Sequence, residues 1–525
     1  MRFLVASFLT VLFSSHGLAQ EASSSPDSNK LPFKISPETT YITEPLTKEG
    51  RVDYGAALNQ MMKKGVTPET NAAVYYWRAM GPQPDGLESE EFLENLKQEL
   101  GIDPFSENGP YMVNFRPPQK AVDAGQDPFA DYNAALGSPW KSDDYPSVKK
   151  WIDLNQEPLD IVLEGTRQPH YFRPIVKTAN EELLLTTLLP DIQQMRELAR
   201  LLSARAMLAI GEARFEDASS DLIALHRLAR HVGQGATMIE LLVGVAIDAV
   251  AREGDLQLIN CETISVEQLK AHQKSLSELP TLAHCDRAMT SERMFNLDEL
   301  QTIATGNPKS EQGKTFLSFA GLDASSTMGA ILSEMFQHSI DWNVVFTGIN
   351  DYHDSVGEAL SLDSFAKRFE TIKQLNQELQ AEYQQANRPS ALALSVLFSP
   401  QCRGNHIRLV LLSLLTPALE QVVVAQTRGN SNAPLTETAF AVAAYQKREG
   451  KLPDNLQQLI PADLAEIPLD PFTGQPVHYL VNNDAATIYC LGKNLQDDKG
   501  ITQQENRNEY DIVVRIPKQE PVLAN

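Results

Sequence analysis

None of the short motifs that would name a reaction occurs in this 525-residue sequence. It has no nucleophile elbow, no phosphate-binding loop, no dinucleotide fingerprint and no HExxH helix. Cysteine is scarce: four residues, none in a CxxC pair, so a zinc or dithiol redox site lacks its ligands. Clustered positive charge is missing as well. Lys and Arg number 45 against 68 Asp and Glu, a net charge of −23, and no Lys/Arg run exceeds two or three. Nucleic acid and an anionic membrane face are therefore excluded as partners. Beyond the N-terminus no apolar stretch reaches the roughly 18 residues of a membrane span. The run near Leu241 is broken by Asp248, and residues 409–415 are flanked by Arg408 and Glu420.

What is present begins with Arg2, the apolar run FLVASFLTVLF and the small residues around Gly17-Leu18-Ala19. This is the layout of a secretory signal peptide, and cleavage is expected after Ala19. Loss of Arg2 would take the net charge from −23 to −24. The run is short for a retained anchor, and no Cys follows it for lipidation. The expected location is the periplasm, the cell envelope or the medium. In an exported chain, Cys261, Cys285, Cys402 and Cys490 are either buried free thiols or two disulfides. Cys261–Cys285 is the pairing best placed, since it joins the end of the central helices to the next helix. Such a closure contributes about 3 kcal/mol.

The most apolar region is 191–261, read as three consecutive helices. Ile192, Met195, Ala199, Leu202, Ala206 and Ile210 recur at spacings of three and four, one face of a helix over 191–211. Phe215, Ala218, Leu222, Leu225, Ala229 and Val232 do the same over 214–232, closed by Gly233 and Gly235. The third, 236–258, is apolar almost all round, as suits a helix packed on several sides. Gly244 and Ala251 would let a neighbour approach closely. The short EARFEDA connection makes the first two antiparallel. The pair loosely resembles one tetratricopeptide-type hairpin, but no second copy follows at a 34-residue period.

Elsewhere, residues 20–45 are rich in Ser, Pro, Asn, Glu and Lys and read as a disordered leader, with the helical body starting near 51. Two helices are expected in 53–82, with Thr67-Pro68-Glu69 opening the second. Others are expected at 87–100, 146–164, 266–279, 285–305, 325–346, 352–360 and 362–385, and 405–427 is apolar, with a buried helix around 409–415. Segment 101–145 reads as loop. Gly348-Ile349-Asn350 reads as a helix interruption and 429–434 as a linker. A small α+β domain is expected from about 430, with a helix over 436–449 and strands near 477–481, 486–491 and 510–516. The fold class is thus mainly α, a helical-hairpin array, with a small C-terminal α+β domain.

That domain carries a resemblance. AFAVAAYQKREGKLPDNLQQLIP, LDPFTGQPVHYL and IYCLGKNLQDDKG together resemble the globular part of a type II secretion major pseudopilin, over about 70 residues in the same order and spacing. The resemblance implies a calcium loop, with the Leu491 carbonyl, Asn494 (where the family has Asp), Asp497 and Asp498 as ligands. Oxygen ligands in a loop suit calcium; the other reading is a solvated acidic turn. The pseudopilin processing site and adjoining apolar helix are not beside this module, so the chain is not itself a pilin subunit. As a whole it resembles large exported bacterial proteins that share the NAAVYYWRAMGP-like start.

Other candidates have structural readings beside the functional ones. His226 and His231 are five apart, on different helix faces, which argues against a joint metal site. Glu240 and Asp248 share a face and are an acid/base pair or, with Arg252 four residues after Asp248, an ion pair. Tyr352, His353 and Asp354 are an acid/base cluster or a polar helix interruption. Trp77, Trp140, Trp151 and Trp342 read as core, and 374–385 as a solvated face or partner helix. The leading expectation is an exported interaction or scaffold protein with protein partners. The alternatives are a secreted hydrolase that gathers carboxylates from distant segments, and an accessory to a secretion or pilus system.

Overall fold

The computed structural model describes residues 31–82, 89–106, 109–117, 127, 129–176, 190–282, 284–305, 339–386, 388, 399–415, 419–482, 485–506 and 510–517. Packing begins earlier than composition suggested. Residues 31–45 belong to the expected disordered leader, yet Phe33, Thr39 and Thr40 are buried and helix α1 (Pro37–Thr40) forms. The cause is tertiary. The Phe33 ring sits 4.5 Å from Phe346, and Asn350 donates to the Thr39 carbonyl at 2.6 Å. Local composition does not encode partners three hundred residues away. The signal segment and residues 20–30 lie outside the described residues.

Helices α2 (Tyr54–Lys63), α3 (Ala72–Met80) and α4 (Glu90–Leu100) follow as expected. Asn71 caps α3 through the Ala73 amide. The segment read as loop contains α5 (Ala130–Gly137), too short for its two buried residues, Tyr132 and Ala135, to show a period. The single helix expected at 146–164 is two, α6 (Pro146–Leu154) and α7 (Gln156–Thr166). They part at the buried Asn155, whose amide bonds both the N–H and the carbonyl of Val113. All four Trp are buried, as read.

The centre is α8 (Pro190–Gly211), α9 (Phe215–Gly233) and α10 (Met238–Ile259). Thr237 and Glu240 start α10 with a capping box. Backbones meet where α9 and α10 cross. A Cβ on Gly244 would lie 2.6 Å from the Ala229 carbonyl and 2.7 Å from Gly233 Cα, so only glycine fits. Then come α11 (Val266–Ser277), α12 (Cys285–Thr305) and α13 (Trp342–Leu360). Residues 325–338 of an expected helix lie outside the described residues. Gly348 does not interrupt α13; it admits the Arg408 side chain, which a Cβ would meet at 2.0 Å.

The last helices are α14 (Phe365–Ala386), α15 (Pro400–Leu415), α16 (Leu419–Asn430) and α17 (Asn432–Glu449). The expected linker is not one. Ser431 alone separates α16 from α17, and its amide bonds the Thr427 carbonyl at 3.0 Å. After α17 the chain builds an antiparallel sheet ordered β1 (His478–Asn482), β2 (Ala485–Cys490), β3 (Ile512–Ile516). Tyr479 pairs with Ile488, and Ile488 with Val514. One apolar core runs from the body through α17 into this sheet. No described helix is long and apolar enough to cross a membrane.

All four cysteines are free thiols, so the Cys261–Cys285 pairing is not formed. Cys285 is buried at the start of α12, while the half-buried Cys261 turns its sulfur to the Thr263 hydroxyl, 3.4 Å away. Burial pushes the Cys285 thiol up to about 11.

Candidate functional site

Two groups of carboxylates carry the chemistry of this molecule. The first is in the C-terminal loop. β2 ends at Cys490, and Leu491 is held by its amide donating to Asp470 Oδ2 at 3.0 Å. Asp470 is fully buried in the LDPFTG turn, where its other oxygen accepts from the Phe472 amide. This is how the turn and the loop are joined. Loop residues Leu495 and Lys499 have φ of 57° and 59°, a left-handed path that curls the chain back on itself.

Within the curl, Asn494 Nδ2 donates to Asp498 Oδ2 at 2.9 Å. Asp497 Oδ1 accepts from the Tyr489 hydroxyl and the Lys499 amide, each at 3.0 Å. Burial alone would raise the Asp497 carboxyl, but the Lys499 contacts and Tyr489 hold it below the usual range. Asp511, just before β3, completes the group and was not singled out from the sequence. Its Oδ2 accepts the Gly500 amide at 2.8 Å, while its Oδ1 is buried and has no hydrogen-bond partner among the described residues. Burial, with the negative charges of Asp498 and Asp497, pushes its carboxyl up to about 6. The only sequence signal was an acid directly before an alternating apolar strand. Among the described residues no three His, Cys, Asp or Glu side chains converge as a ready-made metal cage.

The second group lies between α9, α10, α11 and α17. Ser219 Oγ is 2.7 Å from His272 Nδ1, and His272 Nε2 is 2.9 Å from Asp255 Oδ1. Asp255 Oδ2 is 2.9 Å from His226 Nε2, whose Nδ1 is 2.8 Å from Asp248 Oδ1. Arg230 Nη1 also donates to Asp248 Oδ1, at 3.0 Å, and Asn432 donates to Asp248 Oδ2, at 3.3 Å. Burial works against an imidazolium at His226, but Asp255 and Asp248 outweigh it and raise its pKa to about 9. Against the same burial, His226 and Arg230 draw Asp248 down to about 2. Two carboxylates thus face two cations, and the network is close to neutral. Asp248 was expected to pair with Arg252, but α9 supplies both of its cationic partners. Arg252 instead lies 3.5 Å from Glu253.

The remaining candidates are separated. Glu240 is not paired with Asp248. Its Oε2 accepts from the Thr237 amide and hydroxyl, and its Oε1 lies 4.0 Å from Arg173, which is bonded to Asp191. Burial raises the Glu240 carboxyl, and Arg173 opposes the rise. His231 faces Tyr76 and the Gln168 carbonyl, away from His226. Asp354 pairs with Arg293 at 2.7 Å while His353 faces Asn296. Burial, with Arg293 nearby, pulls His353 down to about 4. Tyr352 reaches Asn376 on α14, so these three residues form no acid/base cluster. The glutamine-rich α14 packs on α15 and α16.

Compared with family models, curated proteins and solved structures, the chain matches none.

Proposed function

We propose that the chain is an exported interaction or scaffold protein of the cell envelope whose C-terminal, pseudopilin-like module is closed by calcium. The observation that carries the calcium reading is Asp511 Oδ1. A buried carboxylate oxygen without a hydrogen-bond partner, beside two further carboxylates, is costly unless a cation faces it. The donor set suits a hard cation: oxygens of Asp497, Asp498, Asp511 and Asn494, and the Leu491 carbonyl. Asn494 in place of an acid removes one charge, and Asp511 supplies one. The ion would neutralise the loop and fix its curl against β2 and β3. It serves structure there, not catalysis.

The scaffold reading is supported by the dismantled acid/base candidates and by the neutral network that ties α17 to the body. A role beside a secretion or pilus machine rests on the module's resemblance alone. The hydrolase reading has one observation in its favour, the chain Ser219–His272–Asp255. It is weakened because Asp255 also serves His226, and because Ser219 lies in the second turn of α9, not on a strained elbow.

Thermal melting of the full chain in calcium and in chelator tests the module. A higher midpoint in calcium is expected, lost in the D497A/D498A variant. Equal midpoints would overturn the calcium reading. Cross-linked capture from the native envelope tests the scaffold. Stoichiometric protein partners are expected, whereas a monomer without partners that cleaves ester substrates and loses that activity in S219A would establish the hydrolase.

A further inference from the structure

A cleft of about 420 Å³ opens where the end of α2, the end of α9 and the start of α12 converge. Its size falls within the range of small-molecule sites. One wall is apolar: Met61, Met62 and Val66, with Tyr171 as a floor. Tyr171 is rigidly held, stacked on the His231 ring with 7° between the planes. Met61 is 43% exposed at the mouth, a large apolar side chain with no cover.

The charges on this cleft run against those of the chain. The protein carries 68 acidic and 45 basic residues, yet among the described residues Lys64, Arg287 and His170 line the cleft and no acid does. Among the described residues neither the Lys64 ammonium nor the Arg287 guanidinium makes an ion pair or hydrogen bond. Arg287 is half-buried, and the acids whose charge acts on it are the buried Glu240, already shared with Arg173 and Thr237, and the exposed Asp286, whose carboxylate accepts the Arg287 backbone amide. Gln234 and Thr290 add polar edges. Two cations without an ion pair among the described residues, beside an apolar wall whose Met61 is exposed at the mouth, match an amphipathic anion.

We propose that this cleft binds a small organic anion, with its carboxylate or phosphate head at Arg287 and Lys64 and its apolar body against Met61, Met62 and Val66. Nothing in the scaffold or calcium reading requires such a site.

Isothermal titration of the full chain with octanoate, octyl phosphate and octylammonium tests it. Saturable one-to-one binding of at least one of the anions is expected, with octylammonium inert. The tighter of the two anions identifies the head group. Loss of one charge-assisted contact should weaken binding about tenfold in R287Q and in K64Q. Lys64 is exposed, so K64Q keeps the wild-type melting midpoint and remains informative if R287Q folds poorly. The proposal is overturned if neither anion saturates, if octylammonium binds as well as they do, or if K64Q leaves anion affinity unchanged.

Discussion

The network at Asp248 and Asp255 and the loop at Asp497, Asp498 and Asp511 both gather acids around at least one buried carboxylate, but they resolve the charge differently. In the first, His226 and Arg230 come from the neighbouring helix and every carboxylate oxygen finds a donor. In the second, Lys499 serves Asp497, and Asp511 Oδ1 has no donor among the described residues. Identical side chains therefore have opposite consequences. Where cations are built in, the acid is part of the core and its loss is damaging. Where no protein cation faces it, the buried acid costs stability, which the proposed calcium would relieve.

The largest expected effect breaks the first region. Asp255→Ala leaves His226 and His272 facing a void and should cost about 3–5 kcal/mol in urea denaturation. A loss below 1 kcal/mol would make the network incidental. Calcium gives the next largest effect: at a hundredfold excess over Kd it should stabilise the chain by about 2.7 kcal/mol. Asp511→Asn sharpens the contrast, since it should abolish that gain yet cost little in chelator. A loss in chelator as large as that of Asp255→Ala would erase the distinction.

The dependence on pH should have the same sign in two separate windows, because folding raises both pKa values. His226 is raised from 6.5 to about 9, so its contribution is complete below pH 6.5 and is lost as pH rises toward 9. Asp511 is raised from 3.8 to about 6, so its cost is complete above pH 6 and is relieved as pH falls toward 3.8. In chelator, the wild type minus H226Q should lose stability between pH 6.5 and 9. The wild type minus D511N should gain it as pH falls from 6 to 4. Either difference remaining flat would remove that group from the account. The smallest effect is that of Cys261→Ser. With both thiols free, its midpoint should stay within about 1 °C of wild type in oxidising buffer. A drop of several degrees would restore the Cys261–Cys285 bond.

Much of the architecture was legible because it is local. Gly233 marked the end of α9 and glycine at 244 signalled the close crossing, whereas the Thr237/Glu240 box that starts α10 emerged only from the structure. The ion pairing was not legible. Spacing assigned Arg252 to Asp248 within one helix, while the competing partners, His226 and Arg230, lie on α9 and come near only when the helices cross. Asp511 escaped for a related reason: it lies twenty residues after Leu491 in sequence and reaches the loop through β2–β3 pairing. Phe33 and Asn155 gain their roles from partners that composition and helical period cannot reveal.

The Asn432–Asp248 bond and the contact of Phe440 with His272, 5.0 Å between rings, have a consequence for biogenesis. Asp248, Asp255 and their histidines are synthesised some two hundred residues before the helix that covers them. A chain delivered N-terminus first would hold this charged centre open until α17 emerges. The closing of this centre would therefore come late, after α17 has emerged, and a nascent chain stalled short of residue 440 would be a client for chaperones and proteases.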